Sequence, residues 1–454
     1  MPREPDPLEI RAREMAAAAG LDPDARIAKL GSERGMPAWC GYRELARAER
    51  NAQKATDASA LFANLRPQEP QYQNSSLTVF GEHDEATLTQ ARNSQSVGNV
   101  LAMTVMADGH LGYSLPVGAA IAYHKQISVS GVGFDIGCGN LAVRLDTRFD
   151  DVKDRVEMIL HDIVRAISFG IGRNNAERVE HELFDDSEAW LKSGREAYRK
   201  KAMGQLGTVG GGNHYVDLFV DESGFVWIGN HLGSRGFGHT TATDALKEAG
   251  GKDGMHVPPA LVDEDSELGQ RYIAGMNLAG RYASAGREWI AERVRAIIGG
   301  AVTDTIHNHH NFAWKETHLI DGEEIECWVV RKGATPSRPG QRSFVGGSMG
   351  DDAVILEGID SAEARASLYS TIHGAGRLFG RKVALKTFTR TEMDAWLKRK
   401  GVMVSGGDLD ESPMAYRRLP DVLAHHAGSV KVLHTLRPFA VAMAGRGEFD
   451  PFKD

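Results

Sequence analysis

Cysteine is scarce in this chain of 454 residues, and long apolar runs are missing. The three cysteines, Cys40, Cys138 and Cys327, are odd in number and far apart, which is typical of a reducing compartment rather than of a disulfide scaffold. No stretch of about 18 apolar residues occurs, so we expect no membrane span. The N-terminal MPREPDPLEIRAREM has charge and proline where a signal peptide needs an apolar run, which favours a cytoplasmic location.

An excess of basic charge is also missing. The chain has 53 Lys and Arg against 61 Asp and Glu, for a formal net charge of -8. Overall charge therefore gives no reason to bind nucleic acid, although a local basic channel stays open. Hydrophobic residues at 42% and charged residues at 25% are typical of a globular protein, and the length allows a large core.

The segment patterns predict an α+β fold. We interpret residues 1–72 as an N-terminal helical extension of unknown role, with helical patterns near 7–20 and 41–56. Residues 73–445 form a single large catalytic body, and 446–454 a short tail. In the body, strand-like segments such as LTVF, GAAIAY and YVDLFV come in runs, whereas 151–167 and 276–300 have helical spacing. This predicts central β-sheets flanked by helices.

Glycine is the compositional outlier, with 51 residues, about 11% of the chain against roughly 7% in an average protein. The glycines cluster in segments such as GVGFDIGCGN, LGTVGGGNH, VGGSMG and HGAGR. Such clusters beside Asn, Ser, His and Arg favour loops that bring backbone N–H groups close to an anion over simple tight turns.

Five residues of metal-ligand type lie in these or similar segments: Asp135, Cys138, His214, His231 and His310. Asp135 and Cys138 are three residues apart, so a turn or a helix start aims both side chains at one point. A thiolate beside a carboxylate suits manganese, zinc or iron, and added histidines suit two divalent ions that share the cysteine.

Each of these residues also has an ordinary interpretation. Asp135 fits a helix N-cap and Cys138 a buried small apolar residue. His214 and His231, taken singly, fit satisfied polar residues, although a strand pair would place both imidazoles on one rim. His310 lies in a run, HNHHN, that also fits a solvated helix face.

His373 opens the pentapeptide HGAGR. A neutral imidazole can attack phosphorus and form a phosphoramidate, which divides one difficult transfer into two easier ones. Gly374 and Gly376 would let a phosphate approach the backbone, and Arg377 would offset its charge. The alternative is that His373 is a further metal ligand or a helix cap.

The order of these motifs resembles the RtcB family of RNA-splicing ligases from about Phe80 to Gly445. The segments that carry the resemblance are MADGHLGYSLPVGAAIA, GVGFDIGCGN, LGTVGGGNHYVDL, HLGSRGFGH, HHNFAWKETH, RKGAT, VGGSMG, HGAGR, ESPMAYR and LRPFAVAMAG. Ten motifs in one order are highly specific.

The resemblance implies a ligase that depends on GTP and two manganese ions. His373 would become guanylylated, and an RNA end with a 2′,3′-cyclic phosphate or 3′-phosphate would be joined to a 5′-hydroxyl end. An archease-like activator is a further implied partner. Asp135, Cys138, His214, His231 and His310 match the metal ligands, with Cys138 as the bridge.

The resemblance also assigns nucleotide contacts and a second catalytic residue. Asp108 of MADGH matches an aspartate expected near the incoming 5′-hydroxyl, although capping a turn before Gly109 explains it equally well. Tyr416 resembles the residue that stacks on the base. The other matching nucleotide contacts are Asn213, Asp217, Asn311, Gly347, Ser348, Met349, Gly374, Ala375 and Gly376.

Three positions depart from the family pattern. Asp217 stands where Glu is usual, Ala353 where Ser is usual, and Ala444 where Lys is usual. The resemblance implies that these positions help to read the guanine edge, so we hypothesise relaxed or altered nucleotide selectivity, with Arg446 in place of the missing lysine.

Four basic residues fit either RNA phosphate contacts or surface ion pairs. They are Arg173, Arg235, Arg331 and Lys332. The rival functions are a metal-dependent RNA-end phosphoesterase with altered nucleotide use and a non-catalytic RNA-binding paralogue. The latter has no need of His373 together with Asn213.

Overall fold

A computed structural model describes residues 6–18, 22–24, 26–29, 32–37, 46–47, 49–50 and 75–445. The helices are α1 (Pro7–Ala18), α2 (Glu85–Gln95), α3 (Val129–Val132), α4 (Val156–Ala166), α5 (Ser187–Lys192), α6 (Arg199–Gln205), α7 (Arg235–Glu248), α8 (Glu267–Ile298), α9 (Ala362–Ala366), α10 (Arg381–Thr387), α11 (Arg390–Lys400) and α12 (Leu419–Ala424).

Nineteen strands accompany these helices in the described residues. They are β1 (Arg26–Lys29), β2 (Ser32–Pro37), β3 (Ser76–Val79), β4 (Val100–His110), β5 (Val117–Tyr123), β6 (Gln126–Ser128), β7 (Gly139–Arg148), β8 (Tyr215–Val220), β9 (Phe225–Leu232), β10 (Leu261–Asp263), β11 (Val302–His309), β12 (Asn311–Ile320), β13 (Glu323–Lys332), β14 (Ala334–Pro336), β15 (Arg342–Val345), β16 (Ala353–Gly358), β17 (Ser370–Ile372), β18 (Met403–Ser405) and β19 (Val430–Met443).

Two large sheets form the body. The first has eight strands in the order β11-β7-β9-β8-β19-β16-β15, with β18 parallel to β19, and the second has five in the order β12-β13-β5-β4-β3. Strands β11 and β12 belong to different sheets and are separated only by His310. That residue therefore lies where the chain crosses from one sheet to the other.

Helices cover the sheets because their apolar residues share one face. In α4 the buried residues are Val156, Ile159, Leu160 and Ile163, which follow the i, i+3, i+4, i+7 pattern of an amphipathic helix. They pack with Val143 and other residues of the eight-stranded sheet.

Helix α8 is the longest, at 32 residues. The hydroxyl of Ser266 caps its N-terminus by accepting a hydrogen bond from the backbone N–H of Gly269, and the helix ends at Gly299, whose φ is 89°. Its buried face joins one core with the five-stranded sheet and a second core with the eight-stranded sheet.

The predicted α+β class, with sheets flanked by helices, is confirmed. Helix α1 agrees with the predicted pattern at 7–20, whereas the antiparallel pair β1–β2 was not predicted. Most of 41–56 and the tail 446–454 lie outside the described residues, and the division at 72 and 445 stays a prediction. None of the helices in the described parts of the chain is both long and apolar enough to cross a bilayer.

Candidate active site

The five predicted metal ligands come together at one end of the eight-stranded sheet. Cys138 directly precedes β7, His214 directly precedes β8, and His231 lies next to the last residue of β9. Since β9 is antiparallel to both β7 and β8, these positions meet at the same edge, with Asn140 and Tyr215 paired to His231. His310 reaches this edge from the end of β11.

The ligand atoms form two groups that share one sulfur. Cys138, His231 and His310 make one group, and Asp135, Cys138 and His214 make the other. The Cys138 Sγ lies 3.4 Å from Nε2 of His231 and 3.6 Å from Nε2 of His214. Ligand atoms around one tetrahedral ion with bonds of 2.0–2.3 Å are roughly 3.3–3.8 Å apart, so the spacing suits a bound ion in each group.

The orientation of His231 is set by Asn140. The Asn140 amide donates to the carbonyl of Phe344 at 2.9 Å, which leaves its Oδ1 2.6 Å from Nδ1 of His231. Because an amide oxygen only accepts, Nδ1 carries the proton and Nε2 keeps its lone pair toward Cys138. An outer contact of this kind is usual for a metal-binding histidine.

The pKa shifts of the candidate ligands also suit the binding of a cation. Burial lowers the pKa of His231 and the pKa of His310 well below the usual histidine value, so both rings are neutral. Burial and the Asp135 charge raise the pKa of the Cys138 thiol well above its ordinary value, and a bound divalent ion would favour the thiolate. The buried Nδ1 atoms of His214 and His310 have no hydrogen-bond partner within the described structure.

Glycine provides the space for one of these ligands. A Cβ on Gly233 would lie 2.1 Å from Oδ1 of Asp135, so a larger residue there would displace the carboxylate. Asp135 Oδ2 lies 3.0 Å from Nε2 of His214. Part of the glycine excess therefore makes room for ligand side chains, in addition to the anion-binding role predicted from the sequence.

Arg287 of α8 holds the ligand-bearing segments and was not predicted. Its guanidinium donates to the carbonyls of Gly137 and Leu232 at 2.8 and 2.6 Å. It also contacts His307 and His309 at 2.7 and 2.9 Å, so these two histidines of the HNHHN run support Arg287 from strand β11 instead of lying on a solvated helix. Nothing in the sequence pattern of a long amphipathic helix distinguishes this arginine.

His373 follows β17 and faces Asp108 of β4. Its Nδ1 lies 2.6 Å from Oδ2 of Asp108, and that oxygen accepts hydrogen bonds from the backbone N–H groups of His373 and Gly374 at 3.0 and 3.4 Å. Burial raises the pKa of Asp108, but the charge and hydrogen bonds of His373 outweigh it, so the pKa lies below the usual aspartate value. The turn-capping alternative for Asp108 is therefore not what the structure shows.

The HGAGR segment is fitted closely against β4. Gly376 has a φ of 74°, and a Cβ there would lie 2.4 Å from the carbonyl oxygen of Asp108. The ring of His373 also meets the ring of His310, with centroids 5.0 Å apart. His373, the candidate nucleophile, is thus a direct neighbour of the ligand group formed by Cys138, His231 and His310.

His373 opens onto a cavity of about 940 Å³. His231 is the one predicted metal ligand that lines it, and His110 is a lining residue that the sequence analysis did not single out. His110 lies two residues after Asp108, and its Nδ1 is 3.1 Å from the backbone carbonyl oxygen of Asp108. The predicted nucleotide contacts that line the cavity are Asn213, Asp217, Gly347, Ser348, Met349, Gly374, Ala375, Gly376 and Tyr416.

Asn311 is the exception among the predicted nucleotide contacts. It is not part of the cavity lining, and its Oδ1 accepts a hydrogen bond from the backbone N–H of Gly333 at 2.7 Å. In this structure Asn311 therefore ties the start of β12 to the turn after β13.

Of the three departures from the family pattern, Asp217 alone lines the cavity. Burial raises the pKa of Asp217 well above the usual value, and its Oδ1 has no hydrogen-bond partner in the described structure. Ala353 is packed in a core with Phe219 and Phe344. Ala444 accepts a backbone hydrogen bond from Gly407 at 3.0 Å, and Arg446 lies outside the described residues.

Two arginines that line the cavity, Arg377 and Arg381, are held by acidic partners. Arg377 contacts Glu411 at 3.3 Å and donates to the Tyr416 hydroxyl at 2.6 Å, with its guanidinium 4.8 Å from the centre of the Tyr416 ring. Arg381 pairs with Asp410 at 3.0 Å and with Glu411. These contacts orient both guanidinium groups.

Two of the predicted RNA contacts have structural roles. Arg331 is fully buried and pairs with Glu316 at 2.6 Å, so of the two roles left open it has the ion pair, in the interior instead of on the surface, and RNA does not reach it. Arg235 donates to Thr208 and to the Gly170 carbonyl at 3.1 and 2.9 Å. Lys332 lines the cavity.

Comparison with known proteins agrees with this geometry. The sequence model of a family described as tRNA-splicing ligase RtcB matches residues 90–444. A protein of Archaeoglobus fulgidus named tRNA-splicing ligase RtcB is 30% identical, covering 79% of this chain and 91% of its own length. A protein of Mycobacterium bovis named RNA-splicing ligase RtcB is 30% identical, covering 75% of this chain and 96% of its own length.

The extent of these matches places the chain in a class of proteins described as splicing ligases. It belongs to the RtcB family, as the ten motifs predicted.

Proposed function

We propose that this protein is an RNA ligase that joins 2′,3′-cyclic phosphate or 3′-phosphate RNA ends to 5′-hydroxyl ends, using GTP and two manganese ions. The observation that carries the proposal is the position of His373, which faces Asp108 on one side and His310 of the candidate metal group on the other. We place the enzyme in the cytoplasm, in keeping with its low cysteine content.

His373 acts as the nucleophile in the first step. The Asp108 carboxylate would accept a hydrogen bond from the Nδ1–H group, so Nε2 keeps the lone pair that attacks the α-phosphorus of GTP. A phosphorus–nitrogen bond forms, the bond to the β-phosphate oxygen breaks, and pyrophosphate leaves. The nearby Asp108 carboxylate stabilises the positive charge that develops on the ring.

The candidate metal group would hold both ions. Asp135, Cys138 and His214 would bind one, while Cys138, His231 and His310 would bind the other. Bound manganese supplies positive charge that stabilises phosphate oxygens during transfer. Cys138 belongs to both groups, so its thiolate would serve both ions.

The transfer of GMP to the RNA end uses His373 as leaving group. Water opens a cyclic phosphate to a 3′-phosphate, whose oxygen attacks the phosphorus held on His373 and releases the imidazole. The 5′-hydroxyl of the second RNA then attacks the 3′-phosphate, and GMP leaves. Asp108 neutralises the imidazolium at each transfer and returns His373 to its starting tautomer. An archease-like activator would act on this cycle.

Nucleotide selectivity depends on Asp217 and Tyr416 in this proposal. Both line the cavity, and the Asp217 Oδ1 lacks a hydrogen-bond partner within the described residues. An aspartate is one methylene shorter than the glutamate usual in the family, so its reach to a base edge differs. Offering GTP and ATP separately with manganese and weighing the protein tests this, because strict GTP-only adduct formation at normal efficiency would contradict altered selectivity.

The central experiment follows a labelled phosphate. The protein is incubated with manganese and α-labelled GTP, and wild type is compared with His373→Ala and with His425→Ala, a histidine that does not line the cavity. We expect an adduct in wild type and in His425→Ala but none in His373→Ala. RNA with cyclic-phosphate and 5′-hydroxyl ends is then added, and joined product should appear with loss of the label from the protein.

The rival functions give different outcomes in the same assay. Trimmed RNA ends without an adduct or a joined product would favour the phosphoesterase. Bound RNA with neither reaction would favour a binding protein. An adduct formed equally by His373→Ala would overturn the assigned nucleophile.

A further inference from the structure

Two buried polar atoms in the wall of the His373 cavity lack a hydrogen-bond partner. They are the hydroxyl oxygen of Tyr215 and Oδ1 of Asp217, and neither has a partner within the residues that the structure describes. Buried polar atoms are nearly always paired, because an unpaired one keeps the cost of losing its water. The two atoms therefore point to a ligand that supplies the missing partners.

The register of strands β8 and β19 places both residues on one wall. Tyr215 pairs with Met443 and Asp217 with Val441, and the pairing is regular between these positions. Residues two apart on a regular strand face the same side of the sheet, and all four residues line the cavity. We call Tyr215, Asp217, Val441 and Met443 the β8–β19 wall.

The Tyr215 side chain is closely fitted into the β8–β19 wall. Its ring stacks on that of His231, with centroids 5.5 Å apart and an angle of 16° between the planes. A Cβ on Gly346 would lie 2.5 Å from the Tyr215 hydroxyl oxygen, so a larger residue there would displace the hydroxyl. The hydroxyl therefore has a set position from which it can donate or accept a hydrogen bond.

The composition of the β8–β19 wall suits a nucleobase better than a phosphate. Val441 and Met443 offer an apolar surface to which Tyr215 and Asp217 add two polar atoms, the usual composition of a pocket for a small organic molecule. A phosphate is normally bound by Lys, Arg or a cluster of backbone N–H groups. None of the four residues has a cationic side chain, and an ionised Asp217 would repel a phosphate.

We propose that Tyr215 is a nucleobase-binding residue, whose hydroxyl forms a hydrogen bond with the edge of the base next to Asp217. This rests on the ligase function proposed above, because that reaction brings a nucleotide to His373 through the same cavity. A tyrosine hydroxyl pairs with a carbonyl oxygen, a ring nitrogen or an amino group of a base. Tyr215 is not among the residues that the sequence analysis assigned to the nucleotide.

The test compares Tyr215→Phe with Tyr272→Phe in the full chain with manganese. Tyr272 is the matched control, because its hydroxyl is also buried without a partner in the described part of the chain but does not line the cavity. We expect Tyr215→Phe to raise KM for GTP in the labelling of His373 roughly threefold to tenfold, as for one neutral hydrogen bond, with little change in the maximal rate. Tyr272→Phe should keep the wild-type KM, and neither variant should lower Tm, since no hydrogen bond within the protein is lost.

Inorganic triphosphate, which has no base, separates a base contact from a phosphate contact. Its inhibition constant against GTP should be the same in Tyr215→Phe and wild type, whereas equal weakening of triphosphate and GTP would assign the hydroxyl to the phosphates and overturn the proposal. An unchanged KM for GTP would also overturn it. If calorimetry shows that wild type binds GTP through Tyr215 but no adduct forms, the ligase function fails while the base contact stands. A wild type that binds no GTP would contradict both.

Discussion

Asp108 and His373 come from distant parts of the chain, and in the proposed reaction their contact decides which imidazole nitrogen attacks the nucleotide. Oδ2 of Asp108 lies 2.6 Å from Nδ1 of His373, so the carboxylate favours the tautomer with the proton on Nδ1. Asp108 is fully buried, so its charge acts in a medium of low polarity.

Replacing Asp108 by asparagine tests this contact. The amide of Asp108→Asn can donate to Nδ1, which favours the tautomer with the proton on Nε2 and removes the nucleophilic lone pair. We expect the rate of His373 labelling from α-labelled GTP to fall at least about a hundredfold, with bound manganese unchanged. Asp421→Asn, at an exposed position of α12, is the control. Equal labelling rates for Asp108→Asn and wild type would exclude the role of the carboxylate.

At the scale of the secondary-structure elements, helix α8 positions the candidate site through the hydrogen bonds of Arg287 as well as through its buried face. Arg287 links the carbonyls on either side of the ligands, that of Gly137 before Cys138 and that of Leu232 after His231. A rigid helix thus sets the relative position of two strand ends.

Arg287→Lys should weaken metal binding. A lysine keeps the charge, but its three donors leave from one atom and cannot reach all four acceptors that the guanidinium contacts. We expect manganese affinity, measured by calorimetry, to fall roughly 10- to 100-fold, as is usual when an outer contact of a metal site is lost. Arg281→Lys provides the comparison, because Arg281 lies on the same helix in a partly exposed pair with Asp186. If both variants bind manganese like wild type, the helix does not position the site.

Strands β12 and β13 are joined by a buried ion cluster around Glu316. Its carboxylate contacts Arg331 at 2.6 Å, His318 at 2.8 Å and Arg338 at 2.9 Å. Burial raises the pKa of Glu316, but the charge of Arg331 and the hydrogen bond from His318 outweigh it and hold the pKa well below the usual glutamate value.

This depressed pKa predicts a pH dependence of stability. Ionised Glu316 contributes stability above the unfolded pKa of about 4.3, and the contribution is lost as pH falls toward the lower folded pKa. Glu316→Gln should lower the free energy of unfolding at pH 7 by about 3 to 5 kcal/mol, because Arg331 keeps an unpaired buried charge.

Urea unfolding at a series of pH values measures the effect. Below about pH 4.3, the stability of Glu316→Gln should fall less steeply than that of wild type. Glu326→Gln, in an exposed pair on β13, should follow the wild-type curve. Parallel curves for all three proteins would mean that Glu316 is not ionised in the folded state.

At the scale of the whole molecule, metal and fold should be thermodynamically linked. The candidate ligands come from segments that are far apart in sequence, so the unfolded chain has no assembled site. Manganese at a hundredfold excess over its Kd should add about 2.7 kcal/mol, which raises Tm by about 3 °C for a protein of this size.

Thermal unfolding with manganese and with a chelator measures this linkage. Cys138→Ser removes the sulfur shared by both groups and should lose most of the shift. Cys327→Ser, at a buried cysteine of another core cluster, should keep it. A shift of equal size in Cys138→Ser and wild type would place the bound metal elsewhere.

Much of the body could be predicted from local patterns. The spacing of Val156, Ile159 and Ile163 is enough for helix α4, and alternating or continuous apolar runs are enough for β5, β8 and β9. The roles of the three histidines in the HNHHN run could not be predicted, because each histidine has different partners in the folded chain and no local sequence pattern indicates them. The two roles left open for Arg331 could not be separated for the same reason, since an ion-paired arginine and an RNA-binding arginine have the same local sequence pattern, and only the tertiary structure places Glu316 beside it.

The sequence by itself determined the family, the α+β class and the candidate chemistry of Asp135, Cys138, His214, His231, His310 and His373, because ligand type, glycine spacing and motif order are local properties. The tertiary structure decided which of these residues lie together in each ligand group and how their side chains are oriented. Antiparallel pairing brings the ends of β7, β8 and β9 to one edge, the crossing between two sheets delivers His310, and β4 supplies Asp108. Such contacts depend on strand register and packing over long separations in the chain, which no short segment encodes.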